Sequence, residues 1–142
     1  KDDLIRQLYR HTILQCHPLV MEGVQTEEVS FEQFRRLWLN IHAIFVDEPN
    51  ALKCKLQYET SPLGAELEQD PVIKAAWAPL DRFFERGLEQ GLFIDLPVRV
   101  LQVLSLDCVA NMALQSQVHQ FELTQDQLEA VIRACWRAIL TP

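Results

Sequence analysis

Glycine is scarce, with 4 residues in 142. None of them forms the glycine-rich loop that cradles nucleotide phosphates, and no G-x-S-x-G nucleophile elbow occurs. Cysteine occurs 4 times, never as C-x-x-C. Cys16, Cys54, Cys108 and Cys135 stand singly in apolar surroundings, the pattern of reduced, buried thiols rather than of a disulfide framework or a zinc site. No apolar run approaches the ~18 residues needed to span a bilayer. The opening Lys1-Asp2-Asp3 is no signal peptide. Basic residues are few, 13 against 20 acids, for a formal net charge of −7. They group in pairs at most: Arg35-Arg36, Lys53/Lys55, Arg82/Arg86 and Arg133/Arg137. Neutralising a phosphate backbone needs clustered bases, so these residues alone do not make a surface for DNA or an anionic membrane.

Metal chemistry is equally thin. The di-metal bundle signature Glu-x-x-His fails at every histidine, because Leu8, Leu14, Leu39 and Ser116 stand three residues before His11, His17, His42 and His119. Cys16-His17 with His11 would spread around a helix rather than converge. No catalytic residue, metal site or cofactor is assigned. Glu85 and Glu89 lie one turn apart, but Arg82 and Arg86 interleave with them as on a solvated, salt-bridged face.

What is present is a chain of helices. Hydrophobic residues make up 49% and charged residues 23%, enough for one globular domain over residues 1–142. The first helix runs from about Asp2 to Val20, and Pro18 predicts a kink or an end at His17. The second starts at a capping box, Ser30 with Gln33, with Val29 and Phe34 as staple, and ends at Glu48-Pro49. A short third helix covers about Asn50 to Tyr58, and Thr60 to Gly64 reads as a loop. The fourth begins with Asp70 as cap and Pro71 at its first position, and closes at Gly91. Pro79 inside it predicts a kink or two shorter helices. The fifth runs from near Pro97 to about Val118. Of its residues Val98 to Leu114, 12 of 17 are apolar, a stripe too wide for one core-facing side, so it must be buried on two sides. The sixth carries Thr124 and Gln127 as a capping box and Leu123 with Leu128 as staple. No alternating strand pattern is present, and the class is all-α.

Several residues admit two readings. Asp107 and Asn111 hydrogen-bond across a helix interface, or anchor a ligand in an apolar cavity. His42 is a satisfied core histidine or a ligand donor. Trp38, Phe45, Trp77, Phe83 and Phe84 are core, or line a pocket left by kinked helices.

Four segments, in order, carry a family resemblance. Lys1-Asp2-Asp3-Leu4 resembles the segment after the helix-turn-helix of TetR-family transcriptional regulators. Tyr58-Glu59-Thr60-Ser61-Pro62 resembles the loop after the short third regulatory helix. Gly87-Leu88-Glu89-Gln90-Gly91-Leu92-Phe93 is similar to the family's G-x-x-x-G-x-F turn, and Cys135-Trp136-Arg137-Ala138-Ile139 to its closing Trp-x-x-Ile helix. The resemblance implies a six-helix regulatory domain, with the DNA-binding helices expected before Lys1 and absent from this chain. It implies an effector cavity between the first, second, fourth and fifth helices, for which the candidate wall is Tyr9, His17, Phe34, Trp38, His42, Trp77, Asn111 and Met112. No Arg or Lys lies on those stripes, which suits a small, mostly apolar effector and disfavours an anion. It implies a homodimer through a four-helix bundle of the last two helices, with Leu101, Leu104, Val109, Leu128, Val131, Ile132, Cys135 and Trp136 as candidate interface. DNA would be met only through the absent domain, in the cytoplasm, with no membrane. The competing readings are an all-α interaction or adaptor module without a small-molecule ligand, and a small all-α enzyme, which no catalytic constellation supports. An enclosed cavity against a filled core discriminates effector binding from the adaptor.

Overall fold

The computed structural model describes residues 2–142. Its helices are α1 (Asp2–Val20), α2 (Phe31–Asp47), α3 (Pro49–Glu59), α4 (Pro62–Leu67), α5 (Pro71–Glu89), α6 (Val98–Ser105), α7 (Cys108–His119) and α8 (Gln125–Ile139). Among the described residues no β-strand forms; a single antiparallel bridge joins Phe93 to Leu140.

The all-α class stands, and six expected helices become eight for identifiable reasons. Residues 60–64 are not all loop. Ser61 accepts a hydrogen bond from the Leu63 N–H at 3.1 Å and Pro62 takes the first position, so a short α4 starts there. This is the same polar-cap-then-proline signal that starts α5, where Asp70 accepts from the Val72 N–H at 2.8 Å. The long apolar run after Pro97 breaks between α6 and α7. The Ser105 hydroxyl donates back to the Leu101 carbonyl at 2.7 Å, and both the Leu106 and Asp107 N–H groups turn to the Gln102 carbonyl. The Ser105 side chain offers the backbone an alternative to a regular helix, and α7 restarts at Cys108. The kinks anticipated at the prolines do not divide their helices: α1 passes through Pro18 to Val20, and α5 passes through Pro79 as one element.

The helix ends show how local sequence sets the frame. At α8 the full capping box is present: the Gln127 N–H donates to Thr124 Oγ1 and the Thr124 N–H to Gln127 Oε1. At α2 only half of it forms. Ser30 accepts from the Gln33 N–H at 3.4 Å, but the Gln33 side chain accepts from the Gln25 N–H at 2.7 Å, tying the incoming loop instead. At the end of α5, Gly91 takes φ +70°, and the Leu92 and Gly91 N–H groups donate to the Gly87 and Leu88 carbonyls. That is a Schellman ending, which needs the left-handed residue that glycine supplies.

α2 is the central element and packs against α1, α3, α7 and α8. Phe34, Leu37 and Trp38 on it are fully buried, with Phe83, Phe84 and Phe93 on the opposite side of the same core. Trp136 closes this core, its ring 5.2 Å from Phe34 and 5.6 Å from Phe93. A second, smaller cluster centres on Tyr9, Leu67 and Ile73, joining α1, α4 and α5. Trp77 packs against both clusters.

Candidate effector cavity and family

Between the two clusters lies a cavity of about 580 Å³. α1 contributes Tyr9, Thr12, Ile13, Cys16, His17 and Val20. α2 adds Ile41, Ile44 and Phe45, and α3 adds Ala51, Cys54, Lys55, Tyr58 and Glu59. From α5 come Ile73, Lys74, Trp77, Leu80, Asp81 and Glu85; α6 and the break after it supply Val98, Arg99, Gln102, Leu106 and Asp107. Its size falls in the range of small-molecule pockets, which run roughly 300–1,000 Å³. A recess of about 270 Å³ adjoins it and shares Tyr58, Glu59, Glu68, Arg99 and Asp107.

Three of the eight candidate wall residues meet here: Tyr9, His17 and Trp77. The other five do not line the cavity. Phe34 and Trp38 have no exposed surface and fill the main core. His42 stacks on Trp38, ring centroids 5.5 Å apart and planes 18° apart. Asn111 is exposed and Met112 packs against the core, because the break at Leu106-Asp107 rotates α7 away from the cavity. That break separates Asp107 from Asn111: only Asp107 reaches the cavity.

His17 is buried and edge-on to Trp77, centroids 4.6 Å apart, and neither ring nitrogen has a hydrogen-bond partner. Burial holds its pKa below the usual histidine value, with Asp81 pulling weakly the other way, so it faces the cavity as a neutral imidazole. Asp81 accepts from the Gln102 amide at 2.8 Å. Burial pushes the Asp107 carboxyl up, and Lys55 only partly offsets this. Burial likewise raises the Tyr58 phenol and the Cys16 and Cys54 thiols.

Cations are present on the wall, contrary to the sequence reading. Lys55, Lys74 and Arg99 lie on helix faces that carry no apolar stripe, and α3 and α6 were not expected to enclose the cavity separately. All three are engaged: Lys55 pairs with Glu59, Arg99 lies 3.5 Å from Glu68, and Lys74 donates to Gln69 Oε1 at 3.3 Å. Asp81, Glu85 and Asp107 remain, so the lining carries more acid than base.

Within the single chain the candidate interface residues differ in burial. Leu101, Val109 and Ile132 have no exposed surface and Cys135 is 9% exposed, so they serve the core of a single chain. Leu128, Val131 and Trp136 are half-buried against that core. Leu104, 46% exposed, is the one that faces outward. The apolar stripe of α8 is covered by α2 and α6 of its own chain.

The chain is an all-α domain with a cavity of small-molecule size between its helices. Residues 30–140 match the family model for the tetracyclin repressor-like C-terminal domain, and the chain belongs to that family of transcriptional regulator domains. It is 30% identical over 140 residues to an uncharacterized HTH-type transcriptional regulator of Haemophilus influenzae, covering 98% of this chain and 72% of that protein. Its fold superposes on a TetR-family protein from Vibrio parahaemolyticus with a TM-score of 0.82 at 28% identity, covering 98% of this chain and 75% of the other. A TetR-family regulator from Haemophilus influenzae gives a TM-score of 0.79 at 27% identity, covering 99% and 76%. No helix among the described residues is long and apolar enough to cross a membrane.

Proposed function

We infer that this chain is the effector-binding and dimerisation domain of a ligand-responsive, cytoplasmic TetR-family repressor. The cavity between α1, α3, α5 and α6 carries the reading. An adaptor would be expected to fill this volume with side chains; instead about 580 Å³ is open beside Trp77 and an unpartnered His17. The effector is small, mostly apolar, and neutral or cationic. Tyr9, Trp77 and Tyr58 offer aromatic surface, His17 a neutral hydrogen-bonding group, and Asp81 and Asp107 negative charge. A buried anion would meet these carboxylates without a free cation deep in the pocket.

The DNA-reading helices belong before residue 1 in this reading. Leu4 and Leu8, 73% and 58% exposed on the outer face of α1, are apolar surface for such a domain to cover. The second chain of a dimer would cover the outward residues of α6 to α8, among them Leu104, Val118, Phe121 and Leu123. Effector binding then acts by differential affinity for two dimer geometries, with α1 as the lever between cavity and DNA-binding domain.

The test is titration of intrinsic fluorescence with neutral, cationic and anionic aromatic compounds, in the chain and in Trp77→Phe. Saturable quenching by neutral or cationic compounds, lost in Trp77→Phe, is the expected result. Quenching by anions alone, or none at all, removes the reading.

A further inference from the structure

Where α7 begins against α8, the Cys108 and Cys135 sulfurs lie 3.3 Å apart. This is closer than two unbonded sulfur atoms ordinarily rest, and a disulfide needs them to close by only roughly 1.2 Å more. The pair lies outside the effector cavity, and nothing in the family assignment calls for it. Cys108 is half-buried at the first turn of α7, where the helix dipole favours a thiolate. Cys135 is buried behind it. Beneath both lies Trp38, fully buried, whose indole N–H has no hydrogen-bond partner.

We propose that Cys108 and Cys135 form an oxidisable dithiol, a modification site that reacts with hydroperoxides to close a disulfide between α7 and α8. With the shared proton on Cys135, the sulfur of Cys108, the less buried residue, attacks the distal oxygen of the peroxide as thiolate. The sulfur–oxygen bond forms, the O–O bond breaks, and the leaving alkoxide or hydroxide takes up a proton. Cys135, as thiolate, then attacks the Cys108 sulfenic acid. The S–S bond forms, the S–O bond breaks, and hydroxide leaves as water. Two thiols are oxidised and one peroxide is reduced to an alcohol, or to water, plus water.

The surroundings favour this over simple burial. The hydrogen bond between the two sulfurs holds the pair's first proton loosely: Cys135 is pulled down to about 7 while Cys108 is pushed up by the same contact. These are properties of the pair, since one proton is shared over 3.3 Å. Trp38 lowers both thiols, because its orphan N–H gains an acceptor when either sulfur is charged. Cys16 and Cys54, by contrast, are pushed up by burial. The 3.3 Å contact and the Trp38 N–H give this pair a way to hold a thiolate that the two cavity cysteines lack, which sets the expected order of oxidation.

The experiment treats the reduced chain with one equivalent of hydrogen peroxide at pH 7 and follows free thiols and the mass of non-reduced peptides. Two of four thiols are expected to be lost, at least about tenfold faster than the other two. The peptides carrying Cys108 and Cys135 are expected as one linked species, two hydrogens lighter than their sum and separated by dithiothreitol. Cys16→Ser/Cys54→Ser keeps the link, and Cys135→Ser replaces it with an oxygen adduct on Cys108. A link elsewhere, oxygen adducts without a link in the unsubstituted chain, or four thiols oxidising at one rate would overturn the proposal.

Discussion

His17 and Trp77 meet edge to face, ring centroids 4.6 Å apart, and both histidine nitrogens are left without a partner. The contact joins α1 to α5 at the cavity wall, so a ligand that hydrogen-bonds His17 also changes the surroundings of the indole. It also carries a pH dependence. Burial lowers the folded-state pKa of His17, and of His42 likewise. Their neutral forms are compatible with the fold above the unfolded pKa of about 6.5. As the pH drops below that value the unfolded chain takes protons first, and stability declines until the folded state is protonated as well. Urea midpoints at pH 7.5 and 5.5 are expected to differ, with lower stability in acid. His17→Gln is expected to remove part of the difference and the further change His42→Gln most of what remains.

Asp107 gives the opposite sign. Its carboxyl is pushed up by burial, so at neutral pH it is charged at a cost to the folded state. Asp107→Asn is expected to raise Tm at pH 7, an advantage that shrinks as the pH falls through the folded-state pKa and the native carboxyl takes its proton. The same variant is expected to weaken binding of cationic aromatics relative to neutral ones. Unchanged selectivity would remove Asp107 from the effector site.

Gly87 allows the Phe93 ring to lie against α5, and a Cβ there would run into that ring. Phe93 is 2% exposed and held by Phe83, Phe84 and Trp136, so it has no free space to yield. Gly87→Ala is expected to cost about 2 kcal/mol by urea denaturation, in the range for overpacking, despite alanine's better helix propensity. A neutral or stabilising result would mean the ring relocates freely.

Association is tested at residues the chain does not need for its own core. Val118→Glu and Leu104→Glu, both on exposed positions, are expected to give monomers in sedimentation equilibrium with unchanged helical circular dichroism. Val109→Glu and Ile132→Glu, at fully buried positions, are expected to lose the helical signal itself. A dimer in both exposed variants would move the interface elsewhere.

Helix existence was legible wherever caps and periodicity agreed, as at Ser30, Asp70 and Thr124. The α6/α7 break was harder to see. Ser105 and Asp107 are single polar residues in an apolar run, and their effect came through backbone bonds to Leu101 and Gln102 that composition does not display. That one break accounts for much of the difference between the expected and the observed lining, which includes Asp107 but not Asn111 or Met112. The candidate interface residues are placed by a different effect. Periodicity marks the buried stripe of α8 but not what buries it, and here α2 and α6 do so from within the same chain. Lys55 and Arg99 were invisible because a cavity wall also recruits side chains from the margins of apolar faces.

The two hydrophobic clusters on either side of the cavity define how the domain comes apart. Tyr9, Leu67 and Ile73 hold the first half of α1 and α4 with few buried partners, while α2, α7 and α8 share the large core. With the space between them unfilled and Trp77 packed against both, the small cluster is expected to open at a lower free energy than the whole. Amide protection is therefore expected to be graded, fading from α2 and α8 towards α4 and the start of α1. A molecule seated in the cavity would touch both clusters at once and couple them into a single cooperative unit. The strongest gain in protection on binding is expected in the segment of α1 that is loosest without it.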